Sequence, residues 1–79
     1  MTTNESPAKL GQSNYVRLLK LPQVKDLAAM SRSEIYRRVG LGTFPAPVKL
    51  GEHASAWVAS EIDSWIADRI AARDAKAAA

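Results

Sequence analysis

Arg32, Arg37 and Arg38 are the side chains of this sequence best equipped to recognise a partner, and they share one short stretch with Ser33 and Tyr36. A guanidinium is a planar, permanently charged fork whose N–H donors match the paired acceptors of a guanine edge or the oxygens of a phosphate. Ser33 and Tyr36 add hydroxyls that reach bases or phosphates, and a tyrosine ring can be half-buried while its hydroxyl stays in water. Further along, Lys49 offers a point charge and His53, the only histidine, a side chain suited to meeting a phosphate. Arg32 and Arg37 are therefore the side chains expected to contact nucleic acid, with Tyr36 and His53 placed to meet a phosphate.

Other chemistries find less support. Cysteine is absent, so a metal site built on His53 would need carboxylates alone as its other ligands. Ser55, His53 and Asp63 are the residue types of a hydrolytic triad, but neither a nucleophile elbow nor an oxyanion hole surrounds them. Gly40-Leu41-Gly42 follows a helical pattern instead of opening a helix after a strand, so it reads as a helix cap and not as a phosphate-cradling loop. Trp57 and Trp65 fall on expected core faces, which favours packing over base stacking. The expectation is a protein that is not an enzyme and uses neither cofactor nor metal.

The chain has 79 residues and a net charge of +3, from 11 Lys and Arg against 8 Asp and Glu. At this size one modest core must do all the packing, because a small domain buries only about 60% of its unfolded surface. The charge is uneven. Residues 17–50 hold seven basic side chains against two acidic ones, whereas residues 51–79 hold three against five. A polyanion is drawn to the middle segment by counterion release and long-range steering. No apolar run approaches the roughly 20 residues that span a bilayer, and residues 1–12 lack the apolar core of a signal peptide, so a cytoplasmic, nucleoid-associated protein without membrane contact is expected.

The elements that must position these residues follow from periodicity. Residues 1–14, rich in Thr, Asn, Ser, Gly and Pro, read as a flexible arm, and Tyr15 to Leu21 as an edge strand or extended lead-in. Pro22 at a first helical position, with Val24, Leu27 and Ala28 on one face and Met30 closing it, predicts a short helix. Ser31-Arg32-Ser33-Glu34 is a capping box, so a second helix runs from Arg32 to Val39 and ends at the glycines. Ile35 and Val39 must face the core; Ser33 and Arg37 then lie opposite, with Arg32 and Tyr36 on one flank and Glu34 and Arg38 on the other. Glu34 and Arg38 read as a surface ion pair worth about 0.3–0.5 kcal/mol. Two short helices joined by a tight turn make a helix-turn-helix.

Phe44-Pro45-Ala46-Pro47 must run extended. Val48-Lys49-Leu50, a turn over residues 51–55, and Ala56-Trp57-Val58 predict a hairpin with Lys49 outward, held on the helices by Phe44 and Trp57. Val58, Ile62, Trp65, Ile66 and Ile70 form one apolar stripe on a last helix from Ser60, a weak cap, to Arg73. The expected fold is mainly α with a small β-hairpin, a winged helix-turn-helix of three helices plus wing over residues 15–73, followed by a fraying tail at 74–79.

In the order RLLKLPQV, MSRSEIYRRV, FPAPVKLG and AWVASEIDSWI, residues 16–68 closely resemble the AlpA family of small phage and prophage DNA-binding regulators. SRSEIYR resembles that family's S-R-S-T-I-Y-R recognition helix, FPAPVKLG its proline-bearing wing strand, and the two tryptophans those flanking its last helix. A looser similarity reaches MerR-like winged helices and phage excisionases. Glu34 stands where the family commonly has threonine, and Gly40-Leu41-Gly42 replaces a more polar connection, so base preference does not carry over. The resemblance implies a transcriptional regulator of phage or prophage that binds double-stranded DNA, with Ser33, Tyr36 and Arg37 in the major groove and Arg32, Arg38 and Lys49 on phosphates. An excisionase that aids integrase at attachment-site DNA is the alternative, and a protein interaction module with an acidic partner is the second. One small module reads few base pairs, so self-association on repeated sites is expected, with integrase or RNA polymerase as further partners.

Overall fold

The computed structural model describes residues 16–78, and the expected arm at 1–14 lies outside them. Strand β1 (Leu18–Leu19) leads into helix α1 (Leu21–Ala28) and helix α2 (Arg32–Leu41); strands β2 (Val48–Gly51) and β3 (Ala54–Val58) follow, and β3 runs directly into helix α3 (Ala59–Ala78). This is the winged helix-turn-helix architecture, mainly helical with a small antiparallel sheet.

The sheet has three strands instead of the two of a simple hairpin, in the order β1-β3-β2. Leu18 and Leu19 pair with Val58 and Trp57, and the Ala59 amide donates to the Arg17 carbonyl at 2.7 Å, so the lead-in closes the sheet on its second edge. A two-residue strand leaves almost no periodic signal, which is why the sequence left strand and lead-in both open. The central position of β3 explains its burial: Ala56 and Trp57 are both shielded from solvent.

Helix α1 begins one residue before Pro22, and the Gln23 side chain accepts from the Lys20 amide at 2.9 Å, covering a donor the helix leaves open. Ala29 ends it in the left-handed conformation (φ 57°), the only non-glycine with positive φ among the described residues. That conformation costs an L-residue about 1–2 kcal/mol and swings the chain into α2 within three residues.

One large side chain from nearly every element meets in the core: Leu19 from β1, Val24 from α1, Ile35 from α2, Phe44 from the extended segment, Trp57 from β3 and Ile62 from α3. The two indoles also tie down the extended segment, Trp57 Nε1 donating to the Pro45 carbonyl at 2.9 Å and Trp65 Nε1 to the Thr43 carbonyl at 2.8 Å. Phe44 meets Trp65 edge-on, with ring centroids 4.8 Å apart.

Several expectations are corrected. Ile70 is 47% exposed, because α3 outgrows the layer it packs on after Ile66, and Leu27, expected on the buried face of α1, is also half-exposed. Both lie at the rim where α1 ends. Ser60 does not cap α3; it sits inside the first turn, since the helix starts straight off the strand. On β2 every residue is exposed, so Val48 and Leu50 do not form an inward face: an edge strand projecting as a wing has no layer beneath it.

Candidate nucleic-acid interface

Helix α2 is held by its caps and by one buried face. Ser31 Oγ accepts from the Glu34 amide at 3.2 Å, and Gly42, at φ 78°, donates its amide to the Val39 carbonyl at 3.1 Å. The helix thus extends to Leu41, two residues beyond the expected Val39, and Gly40 lies inside it while Gly42 supplies the left-handed cap. Ile35 is fully buried and Val39 half-buried, which turns Ser33 and Arg37 to solvent on the opposite side.

The exposed arginines are not independent. Arg37 grips the Glu34 carboxylate with two bonds, Nε to Oε1 at 3.0 Å and Nη2 to Oε2 at 2.7 Å, and Arg38 Nε donates to the same Oε2 at 2.6 Å. The expected pair of Glu34 with Arg38 is present, but Arg37 shares the same acid. The signal was in the sequence, because Glu34 precedes Arg37 by three residues as it precedes Arg38 by four. Arg37 commits one Nε and one Nη2 donor to Glu34, so three of its five N–H groups stay available on its outer edge, enough for a two-point bond to guanine.

On the other flank, the Arg32 guanidinium lies over the Tyr36 ring, 5.3 Å from its centroid, and Tyr36 meets buried Trp57 edge-on with centroids 6.0 Å apart. Core packing therefore orients Tyr36, and Tyr36 in turn orients Arg32. Tyr36 and His53 line one cleft with Lys20 and Ser55, formed by the start of α1, the flank of α2 and the turn of the wing. Lys20 was not among the residues expected to bind, since nothing in the local pattern places the residue before a helix beside a hairpin turn. Lys49 is exposed on β2, opposite Ser55 in the strand register, and lines neither this cleft nor the one beside Arg37. The structure thus groups Arg32 with Tyr36, Tyr36 with His53, and Arg37 with Arg38; Ser33 stands exposed on the outer face of α2.

The hydrogen bonds from Arg37 first, and then from Arg38, lower the Glu34 carboxyl from its ordinary 4.5 to about 2, and the same contact raises Arg37. A carboxyl depressed on folding contributes stability that is fully present above about 4.5 and is lost as pH falls through about 2. Thermal melts should therefore show the wild type losing its advantage over Glu34→Gln across that window, with the two melting temperatures converging as pH falls. A constant gap would mean that the fork adds no pH-dependent stability.

The family described as prophage CP4-57 regulatory protein (AlpA) matches residues 17–70, from the start of the sheet to the overhanging part of α3. An uncharacterised protein of Enterobacteria phage P4, ORF88, is 46% identical over 57 residues, covering 72% of this chain and 65% of its own length, so the chain spans just under two thirds of that relative. The DNA-binding transcriptional activator AlpA of Escherichia coli (strain K12) is 35% identical over 66 residues, 76% of this chain and 94% of its own. No solved structure matches the chain. With the matched residues running through the sheet, α1, α2, the packed part of α3 and both arginine groups of α2, the chain belongs to the AlpA family of prophage regulatory proteins.

Proposed function

We propose that this chain is a sequence-specific DNA-binding regulator of phage or prophage transcription, which lays the segment Arg32 to Val39 of α2 in the major groove and sets its wing against the backbone. One observation carries the reading: the buried side of α2 faces the core, and the opposite side presents Ser33 and Arg37 with Arg32 and Tyr36 beside them. A helix of this width fits the major groove, where each base pair shows a distinct set of donors and acceptors. Arg37, Ser33 and Tyr36 read bases; Arg32, Arg38, Lys49 and His53 hold phosphates. The Escherichia coli relative, a DNA-binding transcriptional activator, supports the same class of ligand. Such a protein acts in the bacterial cytoplasm, on the nucleoid, and no helix among the described residues is long and apolar enough to cross a membrane.

The test is a titration of the purified chain with duplexes enriched from fragmented genomic DNA. About four neutralised phosphates predict that log K falls with log salt at a slope of about −3.6. No association in dilute buffer would overturn the proposal. The position of the protected site separates the roles: protection beside a promoter supports regulation, and phased repeats at an attachment site support an excision factor working with integrase. Several adjacent protected repeats support self-association on DNA.

A further inference from the structure

The net acidity of the last segment conceals a cationic stripe. At about 100° per residue, Arg69, Arg73 and Lys76 fall within about 60° of one another on α3, centred on the line of Ile62. Ile62 is fully buried and Ile66 half-buried, so this line is the core-facing side of the helix. It is apolar as far as Ile66 and becomes basic where the core ends. The acids of α3, Glu61, Asp63, Asp68 and Asp74, all lie about 100° or more from that line. From Ala67 to Ala77 every side chain is exposed, so about 16 Å of helix at 1.5 Å per residue projects past the domain.

The direction of the stripe is set by what Arg69 touches. It lines a cleft of about 440 Å³ with Arg37 and Arg38 of α2 and with Leu41, Thr43 and Asp68. Arg69 and Arg73 also border the groove that Leu27 and Ile70 leave at the end of α1. The guanidinium surface of α2 thus continues onto the overhang of α3. Arg73 meets Asp74, its chain neighbour, at 2.8 Å, but both side chains are more than 60% exposed, and such a pair is worth little in water. Asp68 is the one acid lining the cleft, and together with Glu34, held by Arg37 and Arg38, it still leaves the arginines one positive charge in excess.

We infer that Arg69 and Arg73 on the overhang of α3 form a second phosphate-binding element that grips the DNA backbone flanking the groove entered by α2. This rests on the DNA-binding reading above. Arginine at both positions suits phosphate, because its fork bonds two oxygens at once. The element adds grip without adding sequence information, so it strengthens cognate and random binding equally.

The experiment compares wild type, Arg69→Ala/Arg73→Ala and Arg69→Lys/Arg73→Lys in the full chain, by fluorescence anisotropy on an enriched duplex and on a scrambled one across a salt series. The two added contacts steepen the wild-type slope from about −3.6, the value for α2 and the wing, to about −5.4. The alanine pair should make it shallower by about 1.8, which corresponds to about thirtyfold weaker binding at 0.15 M salt when extrapolated from 1 M. The loss should be equal on both duplexes, and the lysine pair should restore most of it. Circular dichroism checks that α3 persists, as exposed alanines favour a helix. An unchanged slope in the alanine pair, against a normal wild-type slope, overturns this inference alone and turns the stripe toward an acidic protein partner. A wild type that binds no duplex overturns the DNA-binding reading and this inference with it.

Discussion

Trp57→Ala is expected to leave the domain largely unfolded at room temperature. Trp57 is fully buried in the central strand, and removing a buried Trp or Phe side chain from a core costs about 3–5 kcal/mol. A single core in a chain this short supplies about that much in total. The substitution also strips the Pro45 carbonyl of its indole donor and removes the ring against which Tyr36 packs. Far-UV circular dichroism with urea titration is the measurement. Trp57→Phe keeps much of the volume but loses the hydrogen bond and leaves a small cavity, so it should fall between the two, about 1–3 kcal/mol below wild type. Cooperative unfolding of Trp57→Ala within about 1 kcal/mol of wild type would contradict the packing described, since losses that small belong to surface positions.

Arg37→Ala carries the second large effect, this time on binding. A side chain that reads a base should cost about 1–3 kcal/mol on the cognate duplex, roughly 5- to 150-fold in affinity, and much less on random DNA. Arg37 is well exposed, with its side chain at 59%, so the fold should survive its loss, and Arg38 keeps Glu34 as a partner. Anisotropy on matched and scrambled duplexes reads both numbers. Equal losses on the two would make Arg37 a phosphate clamp and move base reading to Ser33 and Tyr36.

The Glu34 fork bears on how that affinity is used. One carboxylate held by two guanidiniums leaves the cluster with a net positive charge, so Glu34 fixes the position of Arg37 and Arg38 without cancelling their attraction for an anion. The fork is a property of this chain's own residues, since all three partners lie within one turn of α2. Arg32 is held differently, by a neutral aromatic face, and its charge stays uncompensated by any acid among the described residues.

Much of this was present in the order of residues, because the decisive signals were local. A serine three residues before a glutamate starts α2, a glycine free to take positive φ ends it, and two nearby prolines force the chain to run extended toward the wing. These interactions span a few residues and are visible in any short window. Periodicity placed Ile35 inward and Arg37 outward for the same reason, and burial agrees with both.

Tertiary structure alone decided what depends on distant partners. Leu18–Leu19 becomes a strand only because the outer edge of β3 is open to it, and Ile70 stays in water only because the core stops one turn earlier. Lys20 joins Tyr36 and His53 in one cleft through the placement of three separate elements. The summed charge of residues 51–79 is negative, yet the helix sorts those charges by angle and turns Arg69 toward α2 and Arg73 toward the end of α1. Composition adds charges without regard to direction; a packed helix gives each one a direction, and a partner responds to that arrangement.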